Sequence, residues 1–418
     1  MSRPAAVTSV QPESLPPTAR AGRWLILILG ALTALGPLAI DMYLPALPQI
    51  SRELGVAPGA VQLTLSMFMV GVAVGQAFYG PIADRWGRRG PLLVGLGVFS
   101  LAAVGCASAQ SLKGLLIWRL VMALGGSASM VIPRAVVRDL FEEKDSARVY
   151  SVLMLILGVS PILAPTLGGQ MLGVTGWRGI FWVLAAIGVA CAAAVAAGMP
   201  DSLAREKRVT GGVGLALRTY GTLIVNRRFL GAVLAAGFTL GALFAYLSAS
   251  SFVFIEIYAL TPPQYALVFG FNAVGLIAAS QLNRWLLNRH SVERVLVGGF
   301  VLNAAAGLLL VAAGATGWGG LPGLIGLIFV SMSAAGIIFP NISALAMAPF
   351  GAVAGSASAL LGVFQFGVGA ASGALVGAFH DGTVRPMVVG LATCAVAGLV
   401  VLRTMALGEG AGGREVEG

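Results

Sequence analysis

Three ionisable side chains stand inside long apolar runs of this sequence: Asp41, Arg119 and Arg134. An acid or a guanidinium at the centre of hydrocarbon costs about 2.5–3.5 kcal/mol even on a lenient insertion scale, so such a group is a functional candidate by default. A lone embedded carboxylate can take up and release a proton, or hold a cation. A second constellation, Gly80-Pro-Ile-Ala-Asp84-Arg85-Trp-Gly87-Arg88-Arg89, crowds an aspartate, three arginines and two glycines into ten residues. Charge at that density belongs outside hydrocarbon. The stretch is a short connector on one membrane face, its glycines letting the chain reverse closely and its arginines marking the cytoplasmic side.

Other chemistries lack their residues. His290 and His380 fall in predicted loops and form no HExxH or cluster, so no metal site is expected. Cys106, Cys191 and Cys394 lie far apart within apolar runs and read as small core residues. No Gly-x4-Gly-Lys-Ser/Thr loop occurs, which argues against ATP hydrolysis by this chain, and no cofactor is expected. A membrane-embedded enzyme would need clustered polar residues, which the isolated Asp41, Arg119 and Arg134 do not supply. The chain is not expected to be an enzyme.

The elements that position these residues are membrane spans. The 418 residues are 58% hydrophobic and 10% charged, with a mean hydropathy of +0.91. That is the composition of a polytopic membrane protein. Twelve apolar runs are candidate spans: 24–44, 61–83, 92–109, 115–137, 149–171, 179–199, 229–252, 266–282, 295–315, 321–346, 356–379 and 386–402. The first is too long for a signal-peptide core and no cleavage site follows it, so it is expected to remain as a helix. The expected organisation is a disordered cytoplasmic tail over 1–20, a six-helix bundle over 21–199, a cytoplasmic linker over 200–228, a second six-helix bundle over 229–405 and a cytoplasmic tail over 406–418.

With the N-terminus inside, twenty of the 26 Lys and Arg fall in inner segments and four in outer loops. The positive-inside rule therefore puts both termini in the cytoplasm. The net charge of +10 is topology information rather than a nucleic-acid footprint, because the basic residues are dispersed between apolar runs instead of gathered on one face. The halves also echo each other. Leu282-Asn283-Arg284-Trp285, at the end of the eighth span, matches Ala83-Asp84-Arg85-Trp86 at the end of the second. A repeat at the same place in each half fits parallel bundles, each a nested three-plus-three inverted repeat. Under that symmetry the first and fourth spans are counterparts lining the centre. Asp41 lies about 25 Å from Trp24 in a core about 30 Å thick, and Arg119 about 6 Å from the outer end of the fourth span. They share a depth, and an Asp41–Arg119 pair is expected.

At Gly80, Asp84, Arg85, Gly87, Arg88 and Arg89 the connector resembles the signature loop between helices 2 and 3 of the major facilitator superfamily. The resemblance implies a cytoplasmic gating latch whose aspartate faces the start of the eleventh span or pairs with an arginine near the end of the fourth, here Arg134 or Arg138. Longer stretches narrow it. Leu35-Gly36-Pro37-Leu38-Ala39-Ile40-Asp41-Met42-Tyr43-Leu44-Pro45-Ala46-Leu47-Pro48, Arg134-Ala135-Val-Val-Arg138-Asp139, Trp177-Arg178-Gly-Ile-Phe181 and Tyr246-Leu-Ser248-Ala-Ser250 are similar to the bicyclomycin-resistance (Bcr/CflA) group of drug:proton antiporters. Arg119 falls in that family's fourth-span motif, with Met122 where glutamine is usual. Ala164-Pro165-Thr-Leu-Gly168-Gly169 resembles the fifth-span antiporter motif, whose small residues permit close helix packing.

The expected fold is thus all-α, twelve transmembrane helices in two pseudo-symmetric bundles. The resemblance implies a proton-driven exporter of amphipathic drug-like molecules, acting as a monomer among the lipids of a bacterial inner membrane, with the proton gradient as its energy source. Asp41 would carry the proton, its charged form favouring Arg119 or a cationic substrate. Soft Met and aromatic side chains with a few polar groups suit varied ligands, and the candidate cavity residues are Tyr43, Met67, Phe68, Met154, Phe244, Tyr246, Phe271, Asn272, Asn341, Phe364 and Gln365. Export of one dedicated amino acid or sugar by the same fold is the second reading.

Overall fold

The structure, a computed structural model, describes residues 18–141, 143–203, 208 and 212–407. The expected tails over 1–20 and 406–418 lie almost wholly outside these residues, as do Arg205 and Lys207 of the linker. All regular structure among the described residues is helical, the form in which a segment pairs its own backbone groups where no water can.

The N-terminal half holds α1 (Thr18–Asp41), a short α2 (Leu47–Leu54), α3 (Pro58–Trp86), α4 (Arg89–Ala107), α5 (Leu112–Leu140) and α6 (Glu143–Gly198). After α7 (Gly212–Val225), the C-terminal half holds α8 (Arg227–Ser251), α9 (Pro262–Leu287), α10 (Val292–Thr316), α11 (Gly320–Met347), α12 (Ala354–Ala378) and α13 (Arg385–Val401). Helix starts follow local chemistry. Ser111 and Asn226 cap α5 and α8 through side-chain oxygens, and Thr261 with Gln264 forms a reciprocal capping box on α9.

Among the described residues, eleven helices are long and apolar enough to cross a membrane, one of them the 47-residue stretch Val152–Gly198 of α6. A straight helix of 56 residues would be about 84 Å long, far more than a bilayer. Gly176, at φ 65° and ψ −175°, breaks α6 into two antiparallel spans. Tyr150, near its start, donates to the Arg134 carbonyl, and Gly198, at its end, meets Trp24. Midway, Trp177 and Arg178 bond Glu53 at the opposite face. The fifth and sixth predicted spans are both present, giving twelve.

Segment 200–228, expected as a polar connector, contains the helix α7. Its Tyr220 hydroxyl donates to the Ala77 carbonyl of α3 at 3.0 Å, and the helix also packs on α12, so it bridges the halves. The halves otherwise meet along α3 with α12 and α6 with α9. Their outer ends are closed. Arg52 of α2 pairs with Glu256, just beyond α8, at 3.4 Å, and α3 and α12 approach so tightly that a Cβ on Gly59 would lie 2.0 Å from the Gly377 carbonyl oxygen.

Candidate functional site

Asp41 is the last residue of α1, placed where Pro37 and the Leu44–Ala46 turn bring the helix to its end. It is 7% exposed, and its carboxylate has no hydrogen-bond or ion-pair partner among the described residues. The Leu44–Ala46 turn that follows it packs against α8 and α9 of the opposite half, which carry Tyr246 and Tyr265. Asn272 donates its amide to the Tyr246 hydroxyl at 3.0 Å, and Ser250 shares a 2.8 Å hydrogen bond with the Tyr265 hydroxyl. Phe269 packs against both rings, at 6.0 Å and 6.1 Å. The Asn272 carbonyl oxygen is buried without a partner. Together these side chains form an aromatic wall carrying hydroxyls and one unused acceptor.

The expected Asp41–Arg119 pair is not formed. Arg119 is fully buried within its own half and donates through Nη1 to the Ala39 carbonyl at 3.0 Å. That carbonyl belongs to the last turn of α1, where helix carbonyls lack intrahelical donors, so the guanidinium caps the helix that ends in Asp41. Its carbon sits 4.5 Å from the ring of Tyr43, 4.2 Å from Phe68 and 5.8 Å from Phe181, an arrangement favoured by the negative faces of the rings. Nε and Nη2 have no hydrogen-bond partner. Arg119 faces inward among aromatics, whereas Asp41, two residues beyond the carbonyl it holds, leads into the turn that meets the other half.

The Gly80–Arg89 connector is likewise rearranged relative to expectation. Gly87, at φ 93°, ends α3 in a conformation that favours glycine. The turn brings Arg88 back over Asp84, to which it donates at 2.6 Å; its Nε reaches Asp139 Oδ2 at 2.9 Å, and its backbone N–H bonds Asp201 at 2.8 Å. Ser202 donates to Asp139, and Arg208 to Asp201 at 2.9 Å. Burial works against the Arg88 charge, but hydrogen bonding and attraction from Asp139 and Asp84 outweigh it, raising its pKa above the ordinary arginine value. Asp84 therefore pairs with Arg88, four residues on, rather than with Arg134 or Arg138. Arg138 approaches only its neighbour Asp139, at 3.9 Å, and Arg134 lines a small cavity with Thr33, Met130, Tyr150 and Met154. Arg85 is exposed, and Arg89 donates to the Ala196 carbonyl.

Gly168 in α6 lies against the Met42 carbonyl, directly after Asp41, so closely that a Cβ would come within 2.1 Å. Gly169 has its nearest neighbour at 3.4 Å, the Pro262 carbonyl of α9, and Ala164 and Pro165 are buried beside them. Of the candidate cavity residues, Tyr246 and Asn272 are buried and bonded to each other in the opposite half. Tyr43 and Phe68 box Arg119. Phe244 is buried against Gly369, Phe271 stacks on Phe329 at 4.3 Å, and Asn341 donates to Asn283 at 2.6 Å, tying α11 to α9. Met67, Phe364 and Gln365 are half-buried. Tyr265 joins the site and Asp201 the inner cluster without having been singled out, whereas Ser250 and Asp139 had been noted only within the Tyr246–Ser250 and Arg134–Asp139 stretches. Tyr265 falls one residue before the predicted eighth span. For Asp139 the available signal was its place beside Arg138 in a charged helix end.

Two related six-helix bundles, closed against each other around a buried carboxylate, define a membrane transporter. The chain belongs to the Major Facilitator Superfamily, whose family model matches residues 29–374. It is 35% identical over 376 residues to the uncharacterized MFS-type transporter YdgK of Bacillus subtilis, covering 89% of this chain and 92% of that one. To the bicyclomycin resistance protein homolog of Haemophilus influenzae it is 33% identical over 371 residues, 89% and 93% of the two chains. To multidrug resistance protein MdtL of Klebsiella pneumoniae it is 28% identical over 377 residues, again 89% and 93%. The crystal structure of a D-xylose-proton symporter superposes with a TM-score of 0.73 at 13% identity, covering 91% of this chain and 97% of that one, a likeness of fold alone.

Proposed function

We propose that this protein exports amphipathic drug-like molecules across a bacterial inner membrane in exchange for protons, with Asp41 as the proton-coupling carboxylate. The observation that carries the reading is the position of Asp41: buried, unpaired among the described residues and three residues before the turn where the end of α1 meets α8 and α9 of the other half. A charged carboxylate there is uncompensated, and an isolated buried charge is expensive. The protonated form suits the closed interface. Loss of the proton favours either separation of the halves or arrival of a group that donates hydrogen bonds or carries positive charge. The unused Asn272 oxygen offers such a group a second contact.

Arg119 holds the final turn of α1 through the Ala39 carbonyl and keeps two unused donor nitrogens, which a rearrangement of that turn could offer to the ionised acid. The bundles over 21–199 and 229–405 rock about this centre, with 200–228 as the connection and the Arg88 cluster steadying the inner face of the first bundle. The relatives named for bicyclomycin and multidrug resistance favour a drug-like cargo.

The test is proton movement in proteoliposomes under an imposed pH gradient, with a panel of unrelated amphipathic drugs, repeated with Asp41→Asn. Several drugs should dissipate the gradient through the wild-type protein and none through the variant. Coupling retained by Asp41→Asn removes the role of Asp41, and response to a single amino acid or sugar replaces drug export with a dedicated exporter.

A further inference from the structure

At the inner edge of the C-terminal half, α9, α10 and α11 frame an open groove of about 290 Å³ whose lining includes Leu286, His290, Arg294, Gly298, Leu302 and Ile337. Gly298 and Leu302 continue along α10 into Ala305 and Leu309, an exposed apolar stripe at spacings of four, three and four, which marks the face turned to lipid. A Cβ on Gly298 would meet nothing within 4 Å, so the groove is open along that side.

Its mouth is basic. His290 and Arg294 line it, and Arg289 stacks on the half-exposed Trp285 at 4.4 Å, one residue before Leu286. None of these three basic side chains has a carboxylate partner among the described residues, and the neighbouring acid Glu293 is held by Arg228 at 3.7 Å. The N-terminal turn of α10, starting at Val292, adds its positive dipole end. An apolar groove facing lipid calls for a hydrocarbon chain, and an unpaired basic mouth at the inner interface calls for an anion.

One molecule supplies both. We propose that this groove binds an anionic phospholipid of the inner leaflet, its phosphate on Arg294 and His290 and its acyl chain along Gly298 and Leu302. Trp285, at the depth where aromatic belts form, is a built-in reporter. The full chain is reconstituted in liposomes, and the Trp285 signal is isolated as wild type minus Trp285→Phe. Brominated phosphatidylglycerol should quench that signal at a several-fold lower mole fraction than brominated phosphatidylcholine. Arg294→Gln should cut the preference about fivefold, the effect of one basic charge at an anionic surface. His290→Gln should weaken it further, and Arg403→Gln, an exposed basic residue of α13's inner end, should leave it unchanged. Equal quenching by the two lipids, an undiminished preference in Arg294→Gln, or displacement by inorganic phosphate at matched ionic strength overturns the assignment.

Discussion

Arg88 ties together three segments that are distant in sequence: the end of α3 through Asp84, the end of α5 through Asp139, and the chain leaving α6 through Asp201. Removing the cation leaves Asp139, only 11% exposed, without its close charge partner, with only Ser202 and the looser Arg138 contact at 3.9 Å remaining. Breaking such a pair costs about 3 kcal/mol. Arg88→Gln should therefore lower the unfolding temperature in detergent, and Arg88→Lys should recover only part of the loss, since an ammonium lacks the planar fork that serves two carboxylates. The Arg88 pKa is raised in the folded protein. Its contribution is thus fully present below the ordinary arginine value and disappears only as pH rises through the higher folded value, so the wild-type advantage from this ionisation should be flat between about pH 6 and 9. At the transport site, Tyr246→Phe removes the acceptor of the Asn272 amide and a buried hydroxyl of the second half. The expected result is a KM for drug-driven proton flux raised about tenfold with folded yield maintained. An unchanged KM with a lower melting temperature would make the Tyr246–Asn272 bond structural, worth the usual 1–3 kcal/mol of an unsatisfied buried group, roughly.

The helices themselves were legible in the sequence because hydrocarbon leaves the backbone little alternative, and the twelve apolar runs announce them. What hydropathy does not encode is which face each helix shows its neighbours. Asp41 and Arg119 were expected to pair, yet they diverge because the α1 terminus creates an orphan carbonyl that Arg119 satisfies. Asp84 was expected to reach along the bundle, but the turn at Gly87 supplies a nearer arginine. The helix in the linker was hidden by its short length and by surrounding charge. Tyr265 was missed because the start of α9 lies upstream of the point where hydropathy rises. The fifth-span motif shows the same division: its small residues were recognisable, and their unequal roles were not. Gly168→Ala must displace the backbone after Asp41, whereas Gly169→Ala makes ordinary contact. Overpacking of the first kind costs roughly 1–3 kcal/mol. Drug-driven proton flux should fall at least about tenfold in Gly168→Ala and stay within about twofold in Gly169→Ala, and equal loss in both would deny Gly168 its special place beside the carboxylate.

Across the whole molecule, the contacts that close the outer face are few and cross between halves, which makes that closure testable. Arg52 and Glu256 are exposed, so their ion pair contributes little energy, about 0–1 kcal/mol, but it marks where α2 and the end of α8 meet. With Arg52→Cys and Glu256→Cys combined, a flexible bis-methanethiosulfonate linker, which can bridge the gap left by the two long side chains where a direct disulfide cannot, should cross-link the halves and stop transport, and a reducing agent should restore it. The three native cysteines are buried and should stay out of the reaction. Transport that continues in the fully cross-linked protein would mean that the outer ends need not part. The inner cluster also bears on biogenesis. Asp201 and Ser202 follow the sixth span, so a nascent chain cannot complete the contacts of Arg88 until that span has left the ribosome and entered the membrane. Until then the Arg88 backbone N–H lacks its acceptor on Asp201, and Asp139 lacks the hydroxyl of Ser202. Closure of the inner face of the first bundle is therefore a late event in its assembly, set by the last residues of that bundle to be made.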